Sequence, residues 1–141
     1  MQEVTLLLVE DDDLDAEIFI RSKRFQKLNN PLIRAHDGRE ALDLLLNDEV
    51  PSPYVILLDL NLPRLNGIEF LVSLRQHKKY NPSVVFVLTS SGADEDIKRA
   101  FEHQVAGYIV KHEKSDSVDT FVGFLGKYLN GSKLPAIETW S

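Results

Sequence analysis

"VILLDLNLP", Val55 to Pro63, is the stretch that decides the fold of this chain. Flanked by Pro53-Tyr54 and Arg64, its apolar start has the length and the bounding turn residues of a strand buried on both faces. Such strands belong to parallel sheets, which are covered by helices on either side. Asp59 sits in this run. An ionised carboxylate in apolar surroundings is costly unless it is paired, so Asp59 is read as chemistry rather than packing.

Working outward, the flanking segments alternate in type. VTLLLV (Val4–Val9), LIRAH (Leu32–His36), VVFVLT (Val84–Thr89) and AGYIV (Ala106–Val110) read as further strands. Helical spacing runs through Leu14–Leu28, through REALDLLLN after the Asp37-Gly38 turn, and through Gly67–His77, Ala93–His103 and Val118–Leu129. In the first helix, Ile18, Phe19, Ser22 and Phe25 are expected to form the core-facing stripe. Five strands alternating with five helices predict an α/β fold, a doubly wound parallel sheet. Chemistry in such sheets collects beyond the carboxyl ends of the strands.

Composition narrows the function. The 141 residues suit one domain with one core. Sixteen basic residues against twenty-two acidic ones leave a charge of −6, which argues against nucleic acid or an anionic membrane as direct partner. The absence of cysteine excludes disulfides, thiolate metal sites and cysteine nucleophiles. The opening MQEVTLLLVEDDD lacks the basic head and small-residue cleavage site of a signal peptide. No stretch approaches the ~18 apolar residues of a membrane span. A cytoplasmic domain is expected.

The strand ends carry the polar residues. The first strand runs into Glu10-Asp11-Asp12-Asp13, the third into Asp59, the fourth into Thr89-Ser90-Ser91 and the fifth into Lys111. Brought to one edge, they form a pocket of carboxylates, a hydroxyl and an ammonium. Clustered carboxylates repel unless a cation joins them, and an all-oxygen set suits Mg²⁺. Phosphoryl transfer needs positioning and charge neutralisation, which such a pocket supplies, with Asp59 as nucleophile. Plainer readings exist for each residue alone. Asp12 or Asp13 is suited to capping the first helix. A calcium loop over Asp11-x-Asp13-x-Asp15 fails, because Ala16 and Ser22 replace its glycine and glutamate. Thr89, Tyr108 and Lys111 rise above ordinary strand or surface residues only through their shared edge.

In order and spacing, VED at Glu10-Asp11, LLDLNLPRLNG around Asp59, VLTSSG at Thr89 and GYIVK at Lys111 resemble the receiver domain of two-component response regulators. The resemblance spans about residues 4 to 130 and implies a flavodoxin-like (βα)5 fold with strand order 2-1-3-4-5. It implies that Glu10, Asp11, Asp59 and the Asn61 backbone carbonyl hold Mg²⁺, and that Asp59 is the phosphoacceptor. Thr89 and Lys111 then contact the phosphoryl group, and Tyr108 changes rotamer with Thr89. A sensor histidine kinase is the implied donor, docking on the start of the first helix at Leu14, Asp15 and Ile18. HDGREALDLL, LNLPRLNGIEFL and TSSGADEDIKRA further resemble the small free-standing regulators that serve bacterial phytochromes.

Residues 1–130 are thus expected to be the receiver and 131–141 a tail without an output domain. Output then passes through contact with a downstream protein. By the same resemblance the tail (Leu134, Pro135, Ile137, Trp140) helps the fifth strand and helix form a homodimer. One departure stands out. Receivers follow the lysine with a proline joined by a cis peptide, whereas His112 stands here, and a non-proline cis bond costs roughly 2.5–4 kcal/mol. The rival function is a Mg²⁺-dependent aspartyl-phosphate phosphatase of the haloacid dehalogenase type. That family resembles D-x-D-x-[TV], whose second aspartate transfers a proton; here Asn61 stands in its place and Asp59 follows the third strand, not the first.

Overall fold

A computed structural model describes residues 3–135 and residue 137. Its elements run β1 (Thr5–Val9), α1 (Asp13–Phe25), β2 (Leu32–Ala35), α2 (Gly38–Leu46), β3 (Tyr54–Leu58), α3 (Gly67–Gln76), β4 (Val84–Thr89), α4 (Asp94–Glu102), β5 (Gly107–Val110) and α5 (Ser117–Gly131). All strand pairs are parallel, and their order is β2-β1-β3-β4-β5. The expected flavodoxin-like topology is the one present.

Strand alternation divides the core in two. Leu7, Val9, Ile56, Leu58, Val85 and Val87 meet α2 and α3 through Ala41, Leu45, Leu71 and Leu74. Leu6, Leu8, Val55, Leu57, Phe86 and Leu88 meet α1 and α5 through Ala16, Phe19, Phe121 and Leu125. Every residue of β1 and β3 is buried, because helices cover both faces of these central strands.

One expectation on α1 needs correction. Phe19 and Ser22 are buried as expected, but Ile18 is 37% exposed and Phe25 86%. At roughly 100° per residue, Leu14, Ile18 and Phe25 lie within about 40° of one another, well away from Phe19. The core stripe is instead Ala16, Phe19 and Ser22. Ser22 turns its hydroxyl to Asp119 of α5 at 2.5 Å, which locks the two helices together. Of the two candidates for the first cap, Asp12 is the one that accepts the Asp15 N–H, at 3.0 Å, while Asp13 pairs with Arg34 at 2.9 Å.

At the other end of the sheet the chain beyond α5 folds back. Leu134 packs beside the α1–α5 cluster, whereas Ile137 is buried in the α2–α3 cluster and donates its N–H to Ser52 Oγ at 2.9 Å. Trp140, which was expected to share in a dimer contact, lies outside the described residues. Among those residues no helix is long and apolar enough to cross a membrane.

Candidate functional site

β3 ends at Leu58, so Asp59 stands one residue beyond the strand and not inside it. Its N–H still bonds the Val9 carbonyl at 3.0 Å, which carries the ladder one step further. Glu10 is held in the same way by the Ala35 carbonyl at 2.9 Å, and Lys111 by the Thr89 carbonyl at 2.8 Å. Backbone bonds of the sheet therefore fix three of the charged residues just past their strands. Behind Asp59 the chain turns through Arg64, whose φ is 64°, and re-enters α3 at Gly67. A Cβ at Gly67 would lie 2.5 Å from the Asp59 carbonyl oxygen, so only glycine lets the helix start press against the site. The α3 terminus is closed by a capping box between Asn66 and Glu69.

Side chains converge on this edge as expected. Carboxylate oxygens of Glu10, Asp11 and Asp59 lie within 4.8 Å of one another. Thr89 is fully buried and donates its hydroxyl to Asp59 Oδ1 at 2.7 Å. The same oxygen accepts the Asn61 N–H at 3.2 Å, which places Asn61 beside the cluster. Lys111, whose side chain is only 4% exposed, directs its ammonium to Glu10 Oε1, to Asp15 Oδ2 at 3.0 Å and to Asp59 Oδ2 at 3.4 Å. Tyr108 stands at the rim, its hydroxyl donating to the Ser91 carbonyl at 2.8 Å.

Electrostatics mark the pocket as under-neutralised. Burial pushes the Glu10 carboxyl up to about 7, the Lys111 hydrogen bond opposes this, and the charge of Asp59 adds to it. Burial acts to lower Lys111, but its bond to Glu10 and the charges of Asp59 and Glu10 outweigh it, so the ammonium is held more firmly than usual. One ammonium does not balance carboxylates this close. An all-oxygen set of buried and exposed carboxylates fits a hard divalent cation and offers nothing to a soft one.

Other expected residues are placed elsewhere. Leu14, 70% exposed, and Ile18, 37% exposed, lie on the outer face of α1 and do not enter the carboxylate cluster. Asp15, expected beside them, is turned inward onto Lys111. The Lys111–His112 peptide is trans, since Ser52–Pro53 is the one cis bond among the described residues. Lys111 thus reaches the pocket without the cis proline, and the cost of a non-proline cis bond does not arise. Arg34 was missed. It donates Nε to the Glu10 carbonyl at 3.0 Å and pairs with Asp13, so it braces the strand end carrying Glu10. An arginine inside the apolar LIRA strand was the available signal.

Comparison with known proteins agrees with this geometry. Response regulator Rcp1 of Synechocystis is 31% identical over 136 residues, covering 93% of this chain and 92% of that protein. The crystal structure of its Mn²⁺-bound form superposes with a TM-score of 0.83 at 30% identity, over 94% of this chain and 99% of that one. The phosphorylated cyanobacterial phytochrome response regulator RcpA gives a TM-score of 0.85 at 26% identity, over 95% and 99% of the two chains. The family model of the response regulator receiver domain matches residues 6–122, a span that begins within β1, ends within α5 and holds every residue of the carboxylate pocket. The chain belongs to the response regulator receiver domains of two-component signalling.

Proposed function

We propose that this protein is a phosphorylation switch: a histidine kinase transfers a phosphoryl group to Asp59, and the changed surface is read by another protein. The observation that carries this reading is the convergence on Asp59 of two carboxylates from the end of β1, a hydroxyl from the end of β4 and an ammonium from the end of β5. Asp59 Oδ1 is held by Thr89 and by the Asn61 N–H, which fixes the carboxylate for attack on phosphorus. Thr89 and Lys111 already point at Asp59, where they would meet the oxygens of an arriving phosphoryl group. Glu10, Asp11 and Asp59, with the Asn61 carbonyl, would hold Mg²⁺, which when bound would neutralise phosphoryl charge. Tyr108 would follow Thr89 when the threonine turns to the phosphoryl group, giving up the Ser91 carbonyl.

Donor docking has its own support. Leu14, Ile18 and Phe25 make an exposed apolar line along α1, beginning beside the pocket. Such a line, with charged residues at its edges, is the make-up of an interface centre. Leu14→Asp is expected to slow transfer from the kinase while leaving phosphorylation by a small phosphodonor nearly unchanged. Likeness to phytochrome-associated regulators over almost the whole chain supports a phytochrome kinase as the donor.

The test is direct. With Mg²⁺ and a small phosphodonor, mass spectrometry should find one added phosphoryl group per chain, located on Asp59. Full labelling of Asp59→Asn would overturn the assignment. A phosphatase of the haloacid dehalogenase type would instead turn over aryl phosphates continuously, which this pocket, with Asn61 in place of a proton-transferring aspartate, is not built to do.

A further inference from the structure

The α1 side of the pocket holds a carboxylate that the reaction as described does not use. Asp15 lies in the first turn of α1 and its side chain is only 21% exposed, although the preceding Leu14 is 70% exposed. Its Oδ2 accepts from Lys111 Nζ at 3.0 Å, closer than Asp59 does at 3.4 Å. Its Oδ1 faces the His112 ring at 4.0 Å. An ammonium has three N–H donors. In Lys111 they are spent on three acceptors from three elements: Glu10 after β1, Asp15 on α1 and Asp59 after β3.

The three contacts are unequal, and the inequality has a direction. Lys111 sits against Glu10 and Asp15 and stands off from Asp59. With Asp15 gone, the ammonium would keep two carboxylate partners, both belonging to the cluster that fits a divalent cation. A buried cation drawn between Glu10 and Asp59 would compete with a metal ion for the same oxygens. We propose that Asp15 is a positioning residue: it holds the Lys111 ammonium on the α1 side of the pocket, away from Asp59, so that the carboxylate cluster stays open to a divalent cation and Asp59 stays free to attack. The inference rests on the reading of Asp59 and Lys111 given above and adds a residue that acts on them without touching the phosphoryl group.

Through-space charge predicts a similar sign, since removing any nearby carboxylate weakens cation binding. The two accounts separate in a double-mutant cycle. Mg²⁺ affinity is measured by titration calorimetry at pH 8, with melting curves confirming that each variant is folded. Asp15→Asn should weaken Mg²⁺ roughly fivefold in the wild-type background, the scale of a partly exposed ion pair. In the Lys111→Ala background the same substitution should change affinity by less than about twofold, because the group it positions is gone. Equal losses in both backgrounds would mean that Asp15 acts by its charge alone and would overturn the proposal, as would no loss in either. Phosphorylation plays no part in this readout. Failure of Asp59 as phosphoacceptor would show separately, as label retained in Asp59→Asn.

Discussion

Both ends of the sheet bury polar groups, and they treat them differently. At the amino end, Tyr54 and Ser83 share a buried hydrogen bond of 2.7 Å, and Tyr80 donates to the Leu45 carbonyl at 2.6 Å. Arg75 fans onto four backbone carbonyls, those of Ser83 (2.6 Å), His103 (2.7 Å), Asn81 (2.7 Å) and Gln104 (2.9 Å). These carbonyls belong to the ends and exits of α3 and α4, where helices leave carbonyls without partners. The Tyr80 hydroxyl also lies 3.1 Å from Asp48 Oδ1, a carboxylate that Lys79 neutralises at 3.0 Å, and Arg75 meets only acceptors. At the carboxyl end, Glu10, Asp11 and Asp59 crowd one another with Lys111 as the one ammonium among them. One end is satisfied as it stands. The other sets three close carboxylates against one ammonium, an imbalance that the proposed metal ion would relieve, and that imbalance distinguishes a site from a well-built core.

The largest effect expected from this contrast is at the satisfied end. Arg75→Ala strips four carbonyls of a charged donor and should destabilise the protein by about 2 to 3 kcal/mol in urea unfolding. Arg75→Lys should recover little, because an ammonium cannot span carbonyls spread over a guanidinium fork. A loss within experimental error for Arg75→Ala would break the comparison, since the fan would then be ornament on an already stable end.

The next effect is at the unsatisfied end and carries a pH signature. Glu10 titrates at about 7 in the folded protein against an ordinary 4.5, with burial as the main cause. The folded state therefore keeps a proton that the unfolded chain releases. This contribution to stability is fully present below 4.5 and is lost as pH rises through about 7. Metal-free protein should lose on the order of 2 kcal/mol between pH 5 and pH 8 from this group, and Glu10→Gln should remove that part of the slope. Tyr54, pushed up to about 12 mainly by burial, contributes nothing over that range; its share is lost only as pH climbs from 10 toward 12. If wild type and Glu10→Gln share one slope, the carboxyl end is better neutralised than its geometry implies.

How much of this was legible in the sequence follows from the same contrast. The pocket was readable because its residues are out of place locally: acids and a lysine closing apolar strands announce themselves, and the parallel topology says where they meet. Asp15 and Arg34 were less visible, because a helix acid and a single strand arginine have ordinary local explanations and only tertiary distances assign them. The error on α1 has a physical source as well. Ile18 and Phe25 are apolar, and the expectation that apolar residues turn inward overrode the helical angle that sets them apart from Phe19. The amino-end network had no signature at all, since Arg75's partners are backbone carbonyls, which every residue carries.

The smallest effect concerns the residues after α5. Among the described ones, Leu134 lies against one core cluster and Ile137 in the other. Ile137 is buried and tied through its N–H to Ser52, in the loop that leads into β3. Burying an isoleucine is worth about 1.5 to 3 kcal/mol, and ordering the few residues that deliver it consumes much of that. A chain ending at Gly131 should therefore be less stable by about 1 kcal/mol, with the loss felt at the satisfied end and none of the pocket distances involved. Phosphorylation by a small donor should proceed at the wild-type rate. Light scattering on the same truncated chain separates the two roles open to this segment. An unchanged mass with lowered stability makes it an internal strap; a halved mass makes it part of an interface between two copies. A slowed phosphorylation would show that the two ends of the sheet are coupled, and the contrast between them would then have to be redrawn.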